Sequence, residues 1–310
     1  MPDVTIAMAT YNGAQYLGAQ LASIGGQIGI NWSLVISDDG SCDHTLDIAQ
    51  DFAMRWPGRV TLMQGPGQGF GPNFLTMVQR LSPDTSYVAF CDQDDVWHPG
   101  KLKQAIDVLG TQPGPAICCG ARRICAVDLQ PLALSPRPMK PIGFGNALVQ
   151  NIASGNTMVF NAAALRVVQQ AGQYDLPFHD WWMYQLITGA GGHVIYDPTP
   201  YVLYRQHRQN VIGAAHSVAA LQKRLHRLLW GQHGQDMQAH LRALTQSRWL
   251  LTPAAQGQLD MVHNCLSRSW PQRLQIARTA RVYRQTAVGQ CGLHLSATLG
   301  LLGRVVHSTR

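Results

Sequence analysis

The sequence contains no glutamate, so each of its 17 acidic side chains is an aspartate. Any carboxylate that acts as an acid, a base or a metal ligand is therefore an aspartate or the chain terminus. The 310 residues are 46% hydrophobic, a fraction typical of globular proteins with a sizeable core. The search for a chemical site is thereby reduced to a short set of positions.

Paired cysteine spacings and long apolar runs are also absent. The seven cysteines are odd in number and contain no C-x-x-C pair, which argues against a disulfide framework or a zinc site. No basic segment followed by an apolar core opens the chain, and no apolar run reaches the roughly 18 residues of a membrane span. The least polar long stretch, 285–303, predicts a packed or interfacial helix. We therefore expect a protein of the reducing cytosol.

Basic residues concentrate in the last third of the chain. Residues 1–214 contain 12 Lys and Arg against 15 Asp (net −3), whereas residues 215–310 contain 12 against 2 (net +10). Beyond this boundary the strand patterns stop, and helical spacing with interleaved cations follows at 219–230, 236–250 and 271–288. We expect an α/β domain followed by a basic helical extension. Such helices lie on anionic membrane surfaces or cap ordinary domains, and both interpretations stay open.

Three carboxylates follow one strand pattern within four residues. The apolar run 87–90 predicts a strand, and Asp92, Asp94 and Asp95 come directly after it. Three neighbouring anions repel one another unless a cation lies between them. Oxygen ligands suit magnesium or manganese, with positions left open for the phosphates of a diphosphate substrate. The alternative is that these aspartates only cap the next helix, whose start Pro99 signals.

Strand and helix patterns alternate through about the first 110 residues. Besides the run at 87–90, strands are predicted at 4–9, 32–37 and 60–63. This alternation is typical of an open α/β sheet, whose ligand lies beyond the carboxyl ends of the strands. Asp38 and Asp39 end the second strand, so two acidic clusters are expected at the same edge of the sheet.

A glycine-rich segment, 65–73, lies between a predicted strand and a predicted helix. It lacks both the G-x-G-x-x-G spacing and the G-K-[ST] ending, so neither a dinucleotide fingerprint nor a P-loop is supported. A flexible loop that passes close to a ligand and a plain turn remain equally open.

The second half of the chain returns to the sheet. Strand patterns recur at 117–127, 153–160 and 201–204, a helix is predicted at 162–168, and the proline-rich segment 131–141 is predicted to be irregular.

Two further stretches carry polar candidates. Asp180, at the start of a predicted helix, is either a helix cap or a site residue. Trp181 and Trp182 point about 100° apart on a helix, which predicts that one of them lines a sugar-sized cleft. The cations of segment 205–208 suit a diphosphate or a metal, although a solvated basic turn is the usual interpretation.

With these residues in view, the chain resembles the inverting family 2 glycosyltransferases of the GT-A fold, especially the bacterial rhamnosyltransferase-like branch. The resemblance covers about residues 3–213, and its motifs occur in the family's order. They are Thr10-Tyr11-Asn12-Gly13, Ser37-Asp38-Asp39-Gly40-Ser41, Asp92-Gln93-Asp94-Asp95-Val96-Trp97, Ser154-Gly155-Asn156, His179-Asp180-Trp181-Trp182 and Tyr204-Arg205-Gln206-His207.

The resemblance implies an α/β fold and a division of the chain. The fold is the GT-A nucleotide-diphospho-sugar transferase fold, a Rossmann-like, mostly parallel sheet with helices on both faces. Residues 1–214 would form the catalytic domain. Residues 215–310 match none of the family's motifs, and the basic helical extension expected there, with association to a membrane surface or a partner as one interpretation, rests on the sequence pattern alone.

The resemblance also implies roles for individual residues. Asp180 would be the catalytic base, and Asp92, Asp94 and His207 would hold Mn²⁺ or Mg²⁺. The donor-binding residues would be Thr10, Tyr11, Asn12, Asp39, Asn73, Asp92, Arg205 and Arg208. The acceptor-binding residues would be Gly155, Asn156, Trp181 and Trp182. The Gln-x-x-Arg-Trp pattern of processive members is absent, which favours addition of a single sugar.

The expected function is metal-dependent, inverting transfer of a sugar, with L-rhamnose as one candidate, from a dTDP-, UDP- or GDP-linked donor. The acceptor would be a saccharide or lipid-linked saccharide of cell-surface polysaccharide synthesis, at the inner face of the cytoplasmic membrane. A glycosidase, a sugar-nucleotide pyrophosphorylase and a non-catalytic nucleotide-sugar sensor or scaffold are the alternatives. A pI near 9.2 also suits nucleic-acid binders, but no binding motif accompanies the charge, so no nucleic-acid partner is expected.

Overall fold

The structure is a computed structural model that describes residues 3–207, 232–267, 272 and 281–298. Its strands are β1 (Asp3–Thr10), β2 (Asn31–Asp38), β3 (Val60–Gln64), β4 (Tyr87–Cys91), β5 (Val96–Trp97), β6 (Ala116–Cys125), β7 (Pro131–Leu134), β8 (Val159–Asn161) and β9 (His193–Arg205). Its α-helices are α1 (Ala14–Gly25), α2 (Thr45–Arg55), α3 (Phe70–Arg80), α4 (Lys101–Leu109), α5 (Phe144–Ala147), α6 (Ala162–Ala171), α7 (His179–Gly189), α8 (Gln232–Gln246), α9 (Pro253–Ser267) and α10 (Ala287–Thr298).

The strands form one mixed sheet in the order β3-β2-β1-β4-β8-β6-β9-β5, and β7 pairs with β6. Strands β1, β2, β3 and β4 are parallel, β6 is parallel to β9, and β8 runs antiparallel between β4 and β6. The carboxyl ends of β1, β2, β4, β6 and β9 therefore meet at one edge. This arrangement confirms the mostly parallel α/β sheet that the sequence predicts.

Helices cover both faces of this sheet. Along β1, Ile6 and Met8 enter a core cluster with Leu17 of α1 and Phe52 of α2, whereas Ala7 faces a second cluster formed with α3 and α7. Successive side chains of a strand point to opposite faces, so a strand that is apolar throughout must be covered on both sides. The apolar run in β1 is continuous because helices cover both faces of this strand.

Two local expectations are wrong. Residues 131–134 form the edge strand β7 and are not irregular; Pro131 is its first residue, a position where a missing N–H is tolerated. Gly155–Thr157 forms a short 3-10 helix, and the strand predicted over 153–160 is reduced to β8. This short helix places backbone and side-chain donors next to two carboxylates.

Helix α7 is surrounded by protein, which corrects the expectation for its tryptophans. Trp181 is 3% exposed and Trp182 is 0% exposed, so neither lines an open cleft. Helices α3, α5, α6 and α8 all contact α7. Trp181 Nε1 donates a hydrogen bond to the carbonyl oxygen of Ala147 at 2.6 Å. Helical periodicity predicts one buried face, but here the neighbouring helices cover the others.

The C-terminal helices share the core of the sheet. Leu241 of α8, Leu259 of α9 and Leu293 of α10 are buried in the cluster that contains Trp182. Within the described residues, no helix combines the length and apolarity of a membrane span. The predicted boundary at 214, the basic segment 219–230 and half of 271–288 lie outside the described residues.

Candidate active site

The acidic segment after β4 lies at the edge where the parallel strands end. Asp92, Asp94 and Asp95 each offer one carboxylate oxygen, and these oxygens lie within 4.8 Å of one another. Asp92 and Asp94 are half-buried, and Asp95 is buried. The three aspartates predicted from the sequence are therefore brought together, at the predicted edge.

The electrostatics of this cluster favour a cation. Burial, reinforced by the charges of Asp94 and Asp180, raises the pKa of Asp92 to about 7. Burial, reinforced by Asp94 and Asp92, also raises the pKa of Asp95 well above its usual range. Neighbouring anions take up protons when no cation neutralises them. Carboxylate oxygens at this spacing fit a hard divalent ion such as Mg²⁺ or Mn²⁺.

His207, which follows β9, joins this cluster. Its Nε2 lies 2.7 Å from Oδ2 of Asp94, and its ring packs against Tyr16 with 4.7 Å between ring centroids. Two residues predicted to bind one metal, 113 positions apart in sequence, thus lie in hydrogen-bonding contact. This proximity fits a shared ion.

Arg205 lies under the acidic segment. Its Nε donates to the backbone carbonyl of Asp94 at 3.0 Å, Nη1 donates to the carbonyl of Val127, and the guanidinium lies 4.9 Å from the Tyr16 ring centroid. The side chain is buried. These contacts hold the backbone that carries Asp94, while contact with a diphosphate stays a prediction. Arg208 lies outside the described residues.

The loop after β1 forms a second wall of the site. Tyr11 is 57% exposed, and its backbone N–H and C=O bond to the Oε1 and Nε2 of Gln93, both at 2.9 Å. A Cβ at Gly13 would collide with the same amide group. The Oδ1 of Asn12 accepts from the backbone N–H of Cys42 at 2.9 Å. The exposed Tyr11 ring is therefore held beside the acidic segment by an amide that lies within that segment.

Asp39 holds the glycine-rich loop. Its Oδ1 accepts from Gly67 N–H at 2.7 Å, and its Oδ2 accepts from Gly69 N–H at 2.6 Å. Both glycines have positive φ, 69° and 91°, a backbone region that glycine enters without strain. The loop is thus ordered against Asp39, at the sheet edge that carries the acidic segment.

Asp180 lies in the first turn of α7 and is 9% exposed. Its Oδ2 accepts from Gly155 N–H at 3.0 Å, and its Oδ1 accepts from Trp181 N–H at 2.7 Å. The charge of Asp180 contributes, after burial and the charge of Asp94, to the raised pKa of Asp92. A carboxylate held by two backbone donors is oriented to receive a proton.

Comparison with known proteins identifies the family. The model of glycosyl transferase family 2 matches residues 5–169. The chain belongs to glycosyl transferase family 2.

Similar proteins agree with this assignment. The dTDP-rhamnosyl transferase RfbG of Shigella flexneri is 30% identical over 227 residues, which cover 70% of this chain and 78% of that protein. Among solved structures, S. aureus TarS in complex with UDP-GlcNAc superposes with a TM-score of 0.54 at 15% identity, over 97% of this chain and 92% of that one. The mannosyltransferase PcManGT from Pyrobaculum calidifontis, in complex with GDP-Man and Mn²⁺, gives 0.52 at 15% identity over 97% and 88%. This chain is a glycosyltransferase with the GT-A fold.

Three residues that the family resemblance assigns to substrate contacts are buried in this family 2 glycosyltransferase and bond to protein groups. Thr10 is buried, and its hydroxyl donates to Asp38 Oδ2 at 2.8 Å. Asn73 is buried, donates to the Ser37 carbonyl at 2.9 Å and accepts from the Ser37 hydroxyl at 2.5 Å. Asn156 is buried and donates to Asp95 Oδ2 at 2.6 Å. Contact of Thr10 and Asn73 with the donor, and of Asn156 with the acceptor, stays a prediction.

Sequence reasoning assigned no role to four residues whose contacts the structure reveals. Gln93 bonds Tyr11, and Arg122 of β6 donates to the hydroxyl of Ser154 at 2.8 Å. Lys101 is 3% exposed with its Nζ 3.6 Å from the Trp97 ring centroid, and burial lowers its pKa to about 8. His179 stacks on Phe74 with centroids 4.0 Å apart. For Arg122 and Lys101, the available sequence signal was a cation within an otherwise apolar pattern, in β6 and α4 respectively.

Proposed function

We propose that this glycosyltransferase moves a sugar from a nucleoside-diphosphate sugar to a hydroxyl group of a saccharide or lipid-linked saccharide, with inversion at the anomeric carbon. The observation that carries the proposal is the pairing of two carboxylate centres. One is the cluster of Asp92, Asp94 and Asp95. The other is Asp180, whose charge contributes to the raised pKa of Asp92. A transferase of this type requires one centre for the departing diphosphate and one for the incoming hydroxyl.

The first centre would hold Mn²⁺ or Mg²⁺ through Asp92, Asp94 and His207. When bound, such an ion stabilises the negative charge that develops on the departing diphosphate. Asp95 is held by Asn156 and by the backbone N–H of Arg205, so it fixes the segment that carries the two ligating aspartates. Arg205 also holds this segment, because its Nε donates to the backbone carbonyl of Asp94.

The second centre would act as the base. Asp180 accepts the proton of an acceptor hydroxyl that approaches to about 2.6–3.2 Å, while the hydroxyl oxygen attacks the anomeric carbon. Attack from the face opposite the leaving group inverts the configuration. The two backbone N–H groups on Asp180 keep its carboxylate oriented during the transfer.

The donor would lie between Tyr11 and the glycine-rich loop. Tyr11 presents an exposed ring for the nucleotide base, and Asp39 lies at the end of the adjacent strand β2. The similarity to a dTDP-rhamnosyl transferase supports dTDP-linked rhamnose as the first donor to test, before UDP- and GDP-linked sugars.

The acceptor would be presented at the inner face of the cytoplasmic membrane. Exposed apolar side chains support peripheral association: Leu132 and Leu134 on β7 and Met139 in the segment after it are exposed beside the cation Arg137. Apolar side chains next to cations suit the interface of an anionic bilayer. Membrane flotation of the purified protein with anionic and neutral vesicles tests this part separately.

The decisive experiment compares Asp180→Asn and Asp94→Ala with the exposed control Asp84→Asn. We expect Asp180→Asn to lower transfer by roughly 10²–10⁴-fold, the range for loss of a general base, with donor affinity retained. Asp94→Ala should lose donor binding that depends on the metal, and Asp84→Asn should behave as the wild type. Sugar transfer is followed by release of the nucleoside diphosphate, and donor binding by thermal shift with and without Mn²⁺.

Normal turnover in Asp180→Asn would disprove the assignment of the base. Donor that binds to the wild type but remains unchanged with every acceptor would instead favour a nucleotide-sugar sensor.

A further inference from the structure

We propose that Arg122 is a positioning residue of this glycosyltransferase, which fixes the metal-side carboxylate Asp95 relative to the base Asp180 through the turn Ser154–Asn156. The inference rests on the proposed function, since it assigns these carboxylates to one reaction. It concerns a residue on β6 that neither the motifs nor the comparisons single out.

Arg122 is itself firmly held. Its backbone N–H donates to the hydroxyl of Ser135 at 2.9 Å, and its carbonyl accepts from the backbone N–H of Ser135 at 2.9 Å. Its guanidinium lies 4.6 Å from the ring centroid of Tyr204 on the neighbouring strand β9. A side chain anchored by the backbone and by a ring presents its donors in a fixed direction.

The turn connects Arg122 to both carboxylate centres. Arg122 Nη1 donates to Ser154 Oγ at 2.8 Å, and Ser154 Oγ donates to Asn156 Oδ1 at 3.0 Å. Asn156 Nδ2 then donates to Asp95 Oδ2 at 2.6 Å. Between Ser154 and Asn156, the N–H of Gly155 donates to Asp180 Oδ2 at 3.0 Å. The turn Ser154–Asn156 thus contacts both the metal-side cluster, through Asp95, and the base Asp180.

The charge of Arg122 fixes the direction of this chain of hydrogen bonds. A guanidinium only donates, so Ser154 Oγ must accept from it and donate its own proton onward. Asn156 must therefore turn Oδ1 toward Ser154 and Nδ2 toward Asp95. If the cation were absent, the Ser154 hydroxyl could rotate away from Asn156. The Oδ1 of Asn156 would then lose this donor, and the amide that donates to Asp95 would no longer be held in place from the side of β6.

The turn cannot shift without moving the base. A Cβ on Gly155 would lie 3.3 Å from Asp180 Cβ and 2.7 Å from His179 Nε2, so the turn already packs directly against the start of α7. A displacement of Ser154 is therefore transmitted to Asp180.

The test uses Arg122→Met, Arg122→Lys, Ser154→Ala and the double variant Arg122→Met/Ser154→Ala. Arg123→Met is the matched control, because it removes the same charge from the next residue, whose side chain points to the other face of β6. We expect Arg122→Met to lower kcat by about 10- to 100-fold, as expected for a misplaced catalytic group, with the Kd for dTDP and Mn²⁺ changed less than about 3-fold. Ser154→Ala should lose a similar factor, and the double variant should lose no more than the larger single loss.

Arg122→Lys should recover part of the rate because its ammonium can still donate to Ser154. Crystal structures of Arg122→Met and Arg123→Met provide a readout that does not depend on activity. The proposal predicts that the Asn156–Asp95 hydrogen bond is lost only in Arg122→Met.

The inference is overturned if Arg122→Met matches Arg123→Met in rate and structure, or if the losses in the double variant multiply. It is also overturned if the Kd for dTDP weakens by the same factor as kcat/KM, because Arg122 would then bind the diphosphate itself. The proposed function fails in a different way, namely if the wild type transfers no sugar, and the crystallographic comparison still decides the inference in that case.

Discussion

Two acidic strand ends lie on one edge of the sheet and differ in what surrounds them. After β2, Asp38 accepts hydrogen bonds from Thr10, from the backbone N–H of Gly40 and from Ser41, while the adjacent Asp39 accepts from the glycine-rich loop. After β4, the carboxylate of Asp92 accepts no hydrogen bond from any residue that the structure describes, and Asp94 is paired with His207.

The difference shows that equal residue types at equivalent positions have different tasks. The carboxylates after β2 are satisfied by protein donors, so they organise the loops around the predicted donor site. After β4, burial and then the charges of Asp94 and Asp180 raise the pKa of Asp92. A site that keeps unneutralised charge at the end of a strand is suited to a cation.

Substitution by asparagine should change the free energy of unfolding in opposite directions at the two strand ends. Asp38→Asn should lower the free energy of unfolding by roughly 2–4 kcal/mol, because a buried carboxylate with several donors is lost. Asp92→Asn should raise it by about 1–3 kcal/mol at pH 8 in EDTA, because the repulsion is relieved. Urea unfolding at pH 8 measures both.

The sign for Asp92 follows from its raised pKa. The folded-state value of about 7 exceeds the unfolded value of about 3.9, so the cost is fully present above pH 7 and disappears below pH 4. The Asp92→Asn gain should therefore vanish at pH 4. Equal destabilisation by both variants at pH 8 would contradict the distinction between the two strand ends.

The buried His179 titrates over a similar pH range to Asp92, but its titration changes the free energy of unfolding in the opposite direction. Its removal therefore gives a second test of how burial affects charged groups near the site. Burial lowers the pKa of His179 to about 4, below the unfolded value, so the stability it permits is present above about pH 6.5 and is lost as the pH falls toward 4. His179→Phe should reduce the loss of unfolding free energy between pH 7 and 5 by about 1–2 kcal/mol.

Phenylalanine suits this position because His179 packs among Phe74 and Phe90, and both of its ring nitrogens are buried with no hydrogen-bond partner among the residues that the structure describes. Leu165→Ile, a buried change without charge, is the control for altered packing. An unchanged pH dependence in His179→Phe would show that the histidine is not held neutral.

The smallest effect is expected at the contact between the acidic segment after β4 and the loop after β1. Gln93→Ala removes both hydrogen bonds to the Tyr11 backbone, and the affinity for dTDP should fall by about 3- to 10-fold, consistent with about 1 kcal/mol for partly exposed hydrogen bonds. The intrinsic affinity for Mn²⁺ should not change. Calorimetric titration with dTDP and with Mn²⁺ measures the two affinities separately, and Gln104→Ala, a half-buried position on α4, is the control. A loss of Mn²⁺ affinity in Gln93→Ala would place the amide in the metal site.

Periodicity predicted the sheet and both acidic strand ends, because apolar runs and turns are local features and parallel strands place their ends at one edge. It could not predict the contact of Gln93 with Tyr11, which joins positions 82 residues apart, or that of Arg122 with Ser154. Those contacts depend on strand order and register. The burial of both Trp181 and Trp182 was missed because α8, far along the chain, covers a face that the pattern of α7 alone leaves open.

Direct titration with Mn²⁺, followed by electron paramagnetic resonance in the presence of dTDP, tests the central claim most directly. The wild type and Asp39→Asn should bind one Mn²⁺ with comparable affinity, whereas Asp92→Asn and Asp94→Asn should each lose most of that affinity. Binding that survives in Asp92→Asn and Asp94→Asn but is lost in Asp39→Asn would contradict the assignment of the cation to the strand end after β4.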